Sequence, residues 1–242
     1  MSTSHDPILF LSGAGLPDWI WDDVRRRLGE GRETRVACRP ENGQARLRDY
    51  AQAAIDSAPT GGFVIVAHSA GGVIGSEVLR LVPERVRAFL AISAVIPRPG
   101  GSFISAMPMP NRWLLGAVMR FAGTRPPDSA IRRGLAHGLA EQVADRIIAD
   151  FTPESPGLYR DGTAHREWSG WRGYLRTSGD RELPIALQRR CAQRLGAAWQ
   201  NELDAGHLPM LEDHRAVAAS ITRFLDARQT PVAVSNYPPA VR

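Results

Sequence analysis

Residues 63–74 of the chain read Phe-Val-Ile-Val-Ala-His-Ser-Ala-Gly-Gly-Val-Ile. The first four are apolar and mostly β-branched, which predicts a buried strand. The run from Val73 to Leu81 is compatible with a helix, and Ser69 stands between the two elements among small residues. This order is typical of a nucleophile elbow, a sharp strand-to-helix turn that exposes a strained serine. A serine that only caps a helix would give the same short pattern, so the rest of the chain must decide.

The turn leaves little room for side chains two residues before and two residues after the serine. Those positions hold Ala67 and Gly71, whereas the usual G-x-S-x-G pattern has glycine at both. Alanine is the next smallest residue, so Ala67 is a mild departure. The helix that follows would direct its N-terminal amides toward Ser69, where negative charge develops in acyl transfer.

The composition is that of an ordinary globular protein. The chain has 242 residues, of which 43% are hydrophobic. This is enough for one large domain with a sizeable core, or for one domain with an insertion. The net charge is +5, and all 30 basic residues are arginine. We interpret the lack of lysine as the coding bias of a GC-rich genome. The basic residues alternate with acids, so we expect no nucleic-acid partner.

The two cysteines, Cys38 and Cys191, form neither a metal-type pair nor a disulfide framework. The apolar run 8–11 is too short for a signal sequence or a membrane span. We therefore expect a cytoplasmic protein without a membrane partner. No H-E-x-x-H motif occurs, and His207 and His214 are too far apart for a helical zinc pair, so we expect no metal.

Strands and helices alternate along the first part of the chain, which predicts a mostly parallel sheet of about six strands flanked by helices, an α/β fold. The alternation of strands and helices stops at Pro97 and resumes near residue 171. We predict an α/β core from residues 1–97 and 171–228, a helical cap from 98–170 and a C-terminal tail from 229–242. Helices are expected within the cap at 112–122, 129–139 and 141–151.

Three strand ends carry groups suited to nucleophilic catalysis. Ser69 follows the third strand, Asp180 the fifth and His207 the last, and reactive groups collect at such ends. Serine needs a base to take its proton, histidine is a suitable base near neutral pH, and a buried carboxylate fixes the histidine tautomer. Glu182 and Asp204 are rivals for the acid. The strand after the elbow, where some enzymes place the acid, ends in Ser93 instead.

An oxyanion hole needs two backbone donors. One is the amide of Ala70, directly after the serine. The other should come from the loop after the first strand, 12–15, and we assign it to Ala14. That loop could also be a plain glycine-rich turn, but it fits neither common phosphate-loop pattern.

Taken together, these stretches resemble the α/β-hydrolase fold, and within it the compact branch of plant methyl esterases, hydroxynitrile lyases and their bacterial relatives. The resemblance implies Ser69 as nucleophile, His207 as base, Asp180 as acid, and Ala14 and Ala70 as oxyanion donors. The matching stretches are Leu11–Ala14 with Trp19 and Trp21, Ala67–Gly72, Ile96–Gly100, Arg176–Pro184 and Gly206–Leu211.

Two positions depart from that family. Ser12 stands where the family usually has histidine, a mainly structural difference. Leu208 stands where the lyase members carry lysine, which argues against cyanohydrin cleavage. We assign the substrate pocket to Trp19, His68, Trp113 and Leu208, although His68 and Trp113 also have a structural interpretation.

We therefore predict a cofactor-independent serine hydrolase that cleaves a carboxylic ester or lactone with an apolar portion, through an acyl-enzyme. The expected partner is a small-molecule substrate, and a homodimer stays open. The first alternative is lyase, cyclase or dehydratase chemistry that uses the same groups as acid and base. The second is a non-catalytic ligand-binding module, which the intact Ser-His-Asp order disfavours. A perhydrolase or peptidase would share the triad.

Overall fold

The computed structural model describes residues 5–29, 31–121, 123–165 and 168–229. Its six strands form one sheet in the order β2-β1-β3-β4-β5-β6, and every neighbouring pair is parallel. The predicted fold class is confirmed. The strands are β1 (Ile8–Leu11), β2 (Thr34–Val36), β3 (Phe63–Ser69), β4 (Val86–Ala94), β5 (Trp171–Thr177) and β6 (Trp199–Leu203).

Alternating residues of the central strands bury their side chains on opposite faces of the sheet. In β1, Leu9 and Leu11 contribute to one apolar cluster, whereas Ile8 and Phe10 contribute to the other. All four are fully buried, because helices cover both faces. The first face carries α2 (Leu47–Ser57), α3 (Gly71–Leu81) and α9 (Ile185–Leu195); the second carries α1 (Asp22–Leu28), α10 (Pro209–Glu212) and α11 (His214–Gln229).

The segment from 98 to 170 contains helices and no strand among its described residues. The helix expected at 129–139 is shorter, because Gly134 ends it, its amide bonding to the Ala130 carbonyl 2.9 Å away. The predicted domain boundaries stay predictions. The helices are α4 (Phe103–Ala106), α5 (Asn111–Phe121), α6 (Asp128–Arg133), α7 (Glu141–Asp150) and α8 (Pro156–Arg160).

Several cap side chains pack into the same cluster as the sheet. Ile131 and Ile147 are fully buried there, and Phe151 is nearly so. The cap therefore shares a core with the strands. The predicted tail, 229–242, lies outside the described residues except for Gln229, which ends α11. Within the described part of the chain, no helix has the length and apolar character needed to cross a membrane.

Candidate active site

Ser69 lies at the sharp turn between β3 and α3. Its φ is 52°, the left-handed region that non-glycine residues rarely adopt. The turn is close to β1, since a Cβ added to Gly71 would lie 2.2 Å from the Leu11 carbonyl oxygen. Glycine is therefore required two residues after the serine, as the elbow pattern predicts.

His207 lies beside Ser69, in the loop after β6. Its Nε2 is 3.1 Å from the Ser69 Oγ, and its Nδ1 is 2.8 Å from the Asp180 Oδ2. A neutral imidazole can thus accept the serine proton at Nε2 while donating its own proton at Nδ1 to the carboxylate. The preceding Gly206 amide donates to the Glu212 carboxylate at 2.9 Å, which fixes this loop against α10.

Asp180 has hydrogen-bond donors on both carboxylate oxygens. Oδ1 accepts from the amides of Glu182 and Leu183 at 2.8 and 2.9 Å. Oδ2 accepts from His207, from the Thr177 hydroxyl at 3.3 Å and from the Ser93 hydroxyl. A carboxylate held from this many directions keeps its charge and its orientation.

The loop that carries Asp180 is anchored by Gln188 of α9, a fully buried residue. Its side-chain oxygen accepts from the Thr177 amide at 2.9 Å. Its side-chain nitrogen donates to the carbonyls of Thr177 and Leu183 at 2.9 and 2.8 Å. The Gly179 amide donates to Ala205 of the histidine loop, also at 2.9 Å. The loops that carry the acid and the base are therefore held together.

The electrostatics of the pair favour the ionised acid and a basic imidazole. Burial alone would raise the pKa of Asp180, but His207 and the hydrogen bonds from His207, Ser93 and Leu183 outweigh it and hold that pKa well below its usual range. Burial alone would lower the pKa of His207, whereas the charge and hydrogen bond of Asp180 raise it above its ordinary value. Smaller contributions come from Glu182 and Glu212.

Ser93 is a site residue to which the sequence assigns no role. It stands where some enzymes place the acid. It is fully buried at the end of β4, has a φ of 38°, and donates its hydroxyl to the Asp180 Oδ2. Because that hydroxyl donates to the acid, Ser93 is a support for the carboxylate. Its place at the carboxyl end of the strand after the elbow is the signal that could have identified it.

His68 lies behind His207 and does not line the cavity, so its assignment to the substrate pocket is not supported. Its side chain is fully buried, and its Nε2 donates to the backbone carbonyl of His207 at 2.7 Å. The two rings are 4.7 Å apart between centroids. Burial and the neighbouring His207 lower the pKa of His68 to about 3, so it is neutral. Among the described residues its Nδ1 has no hydrogen-bond partner.

The amides assigned to the oxyanion hole belong to Ala14 and Ala70. Ala70 directly precedes α3, and Ala14 lines the same cavity as Ser69 and His207. Within the described ranges, neither amide takes part in a turn or cap hydrogen bond. Their role as oxyanion donors stays a prediction.

A cavity of about 420 Å³ opens above Ser69 and His207, a volume within the range of small-molecule sites. Among the described residues that line it, Glu182 is the only one with a carboxylate. Most of its wall is apolar and comes from the cap. The apolar lining side chains include Phe103, Met107, Met119, Ile131, Leu135 and Phe151.

The three other residues expected in the pocket also lie elsewhere. Trp19 donates its indole N–H to Asp150 at 2.8 Å and carries the Arg146 guanidinium over its ring. Trp113 is 68% exposed on α5. Leu208 is fully buried in the second apolar cluster and is not among the residues that line the cavity.

The two rival acids form no hydrogen bond with the base among the described residues. Glu182 lines the cavity, and its amide rather than its carboxylate contacts Asp180. Asp204 accepts a hydrogen bond from the exposed Ser178 at 3.0 Å. Neither carboxylate forms a hydrogen bond with His207, which has Asp180 on Nδ1 and Ser69 on Nε2.

A comparison with protein families matches residues 8–220 to the family described as "Alpha/beta hydrolase family". The match covers most of the chain, and the chain therefore belongs to that family. No curated protein matches the chain.

Solved structures of the same fold span nearly the whole chain at low identity. An extracellular alpha/beta-hydrolase from a Paenibacillus species, described as sharing structural and functional homology with tobacco salicylic acid binding protein 2, superposes with a TM-score of 0.79 at 16% identity, over 90% of this chain and 98% of that one. A pyrethroid hydrolase from Sphingobium faniae superposes with a TM-score of 0.70 at 21% identity, over 93% of this chain and 98% of that one. An Arabidopsis methylesterase superposes with a TM-score of 0.73 at 14% identity, over 92% of this chain and 100% of that one. At these identities the likeness shows the fold.

Proposed function

We propose that this member of the alpha/beta hydrolase family is a cofactor-independent serine hydrolase that cleaves a carboxylic ester or lactone with an apolar portion. The observation that carries the proposal is the chain of hydrogen bonds from Ser69 through His207 to Asp180 at the base of a largely apolar cavity. A pyrethroid hydrolase and a methylesterase among the solved structures of the same fold are consistent with it.

The first half of the reaction forms an acyl-enzyme. The Ser69 Oγ attacks the carbonyl carbon while its proton passes to the His207 Nε2, 3.1 Å away. The carbonyl oxygen becomes an anion that the amides of Ala14 and Ala70 stabilise. The imidazolium, stabilised by Asp180, then gives its proton to the leaving alcohol as the carbon–oxygen bond breaks.

The second half releases the acid. Water, deprotonated by the His207 Nε2, attacks the acyl carbon, and the resulting oxyanion binds the same two amides. The bond to the Ser69 Oγ then breaks, and His207 returns the proton to that oxygen. In a lactone the leaving alcohol stays attached to the acid, and the balance of atoms is the same.

A series of 4-nitrophenyl esters of increasing acyl length tests the proposal. Because each buried methylene is worth about 0.8 kcal/mol, we expect kcat/KM to rise about fourfold per methylene until the acyl chain fills the cavity. Ser69→Ala should abolish the hydrolysis. If no ester in the series is hydrolysed faster by the folded wild type than by Ser69→Ala, the proposal is wrong.

Two variants test which side chains form the acyl pocket. Leu135 lines the cavity, so Leu135→Ala should move the preferred acyl chain toward greater length. Trp113 is exposed, so Trp113→Ala should leave the length preference unchanged. The acid–base alternatives predict no acyl-enzyme, and a burst of 4-nitrophenol equal to the enzyme concentration would exclude them for these substrates.

A further inference from the structure

The loop that carries the Ala14 amide is held by the side chain of Arg39, which follows β2 in the chain. The Gly13 carbonyl accepts from the Arg39 guanidinium at 2.8 Å, and the Leu16 carbonyl accepts from the same nitrogen at 2.7 Å. A turn bond from the Leu16 amide to the Gly13 carbonyl, 3.2 Å long, closes the loop. Arg39 therefore fixes both ends of the loop.

The bond at the Gly13 carbonyl decides where the Ala14 amide points. The two groups belong to one planar peptide unit, and in a trans peptide the C=O and the N–H point in opposite directions. The cis peptide bond found in the described part of the chain is at another place, Met109-Pro110. With its carbonyl held by Arg39, this unit must direct the Ala14 N–H the other way, where Ala14 lines the cavity beside Ser69.

A carboxylate from the cap completes the arrangement. Glu154 lies between α7 and α8, its side chain is 5% exposed, and it pairs with the Arg39 guanidinium. Its Oε1 also accepts from the Gly15 amide at 3.0 Å, so it holds the peptide unit that follows Ala14. The backbone of the same cap segment continues the contact, because the Thr152 amide donates to the Gly15 carbonyl at 3.1 Å.

We propose that Arg39 and Glu154 are positioning residues that orient the Ala14 amide for the oxyanion, so that correct seating of the cap is required for a complete oxyanion hole. The proposal rests on the proposed function, since it presumes that Ala14 serves as an oxyanion donor. The pair touches neither Ser69 nor the substrate cavity, and it acts through the loop between them.

The two variants Arg39→Lys and Glu154→Gln separate orientation from charge. Lysine keeps a cation beside Glu154 but lacks the planar fork that reaches two carbonyls and a carboxylate together. Glutamine keeps an oxygen for the Gly15 amide but removes the charge that holds Arg39. Arg46→Lys is the matched control, because Arg46 also pairs with a cap carboxylate, Asp161 at 2.7 Å, away from the loop.

The test measures ester hydrolysis and inhibition by a trifluoromethyl ketone, whose adduct with the serine carries an oxyanion. Losing one oxyanion donor costs about 10²–10³-fold in kcat. We expect Arg39→Lys to lower kcat at least tenfold, with KM within about twofold of the wild type, and to raise the ketone Ki in proportion. Glu154→Gln should shift both in the same direction, and Arg46→Lys should match the wild type.

Circular dichroism and thermal unfolding establish that each variant is folded. If Arg39→Lys does not fold, Glu154→Gln carries the test. A folded variant with wild-type kcat and ketone Ki, from a wild type that hydrolyses esters, would overturn this proposal and leave the hydrolase intact. A wild type that hydrolyses no ester and binds no ketone would overturn the proposed function itself.

Discussion

At the scale of single residues, the site depends on which partner each polar atom has. The order serine, acid, histidine and the strand end before each one could be read from the sequence, and the structure brings Ser69, Asp180 and His207 within hydrogen-bond distance. The sequence leaves one side chain next to the site with two interpretations, structural and pocket-lining, because a buried histidine and a pocket histidine have the same sequence context. His68 is the example.

Replacing the acid should change both the rate and its pH dependence. Asp180→Asn leaves the shape but removes the charge that raises the pKa of His207. Since the base must be neutral, activity in the wild type rises as pH increases through that raised pKa. In the variant this acid limb should move to lower pH, while the plateau falls about 10⁴-fold. The pH profile of kcat/KM measures both. An unchanged acid limb would show that Asp180 does not act on the base.

Removing the Ser93 hydroxyl should cost stability. A hydrogen bond to a charged group is worth about 1.5–3 kcal/mol, so Ser93→Ala should lower the free energy of unfolding by about that amount at neutral pH. The bond lowers the pKa of Asp180, so its contribution is present above the unfolded pKa and is lost as pH falls through the depressed folded pKa.

Urea unfolding of Ser93→Ala and Ser178→Ala near pH 7 makes the comparison. Ser178 also donates to an aspartate, Asp204, but both are exposed, so its loss should cost little. Equal losses in the two variants would contradict the role assigned to Ser93.

At the scale of elements, the strands were predicted well and the short helices were not. Central strands such as β3 are runs of apolar, β-branched residues, which their burial on both faces requires. The short helices α4, α8 and α10 have four or five residues each, too few to show a helical period in the sequence. Their positions follow from tertiary contacts.

The elbow should tolerate a larger residue at Gly71 poorly. Gly71→Ala places a methyl group against the Leu11 carbonyl, so we expect it to lower the free energy of unfolding by at least about 1–3 kcal/mol. Gly116 lies in α5 with no described atom within 4 Å of an added Cβ, so Gly116→Ala should raise it by up to about 1 kcal/mol. Denaturant titrations of both variants measure these free energies of unfolding. Equal changes in the two variants would mean that the elbow has room for the added methyl group.

At the scale of the whole molecule, the cap contributes buried side chains to both apolar clusters of the sheet. This shared packing could not be predicted, because the end of the strand–helix alternation at Pro97 suggests that the cap is separate from the core. Likewise, Arg39 and Glu154 are 115 positions apart in the chain, and no local pattern joins them. The sequence shows which residues can ionise, and the fold decides which of them meet.

A shared core predicts that cap and sheet unfold together. Ile147→Ala removes a fully buried cap side chain and should destabilise the entire molecule by about 2–5 kcal/mol in a single transition. Gln142→Ala, on the exposed face of the same helix, should stay within about 0.5 kcal/mol of the wild type. Tryptophan fluorescence and far-UV circular dichroism should report coincident urea transitions. Two separate transitions would contradict the shared core.

If Ser69 is an activated nucleophile, its Oγ should react with a fluorophosphonate. The folded protein is incubated with the reagent and its intact mass is measured, beside Ser69→Ala and Ser93→Ala. We expect one adduct on the wild type and on Ser93→Ala, and none on Ser69→Ala. An adduct that persists on Ser69→Ala, or no adduct on the folded wild type, would contradict this role of Ser69.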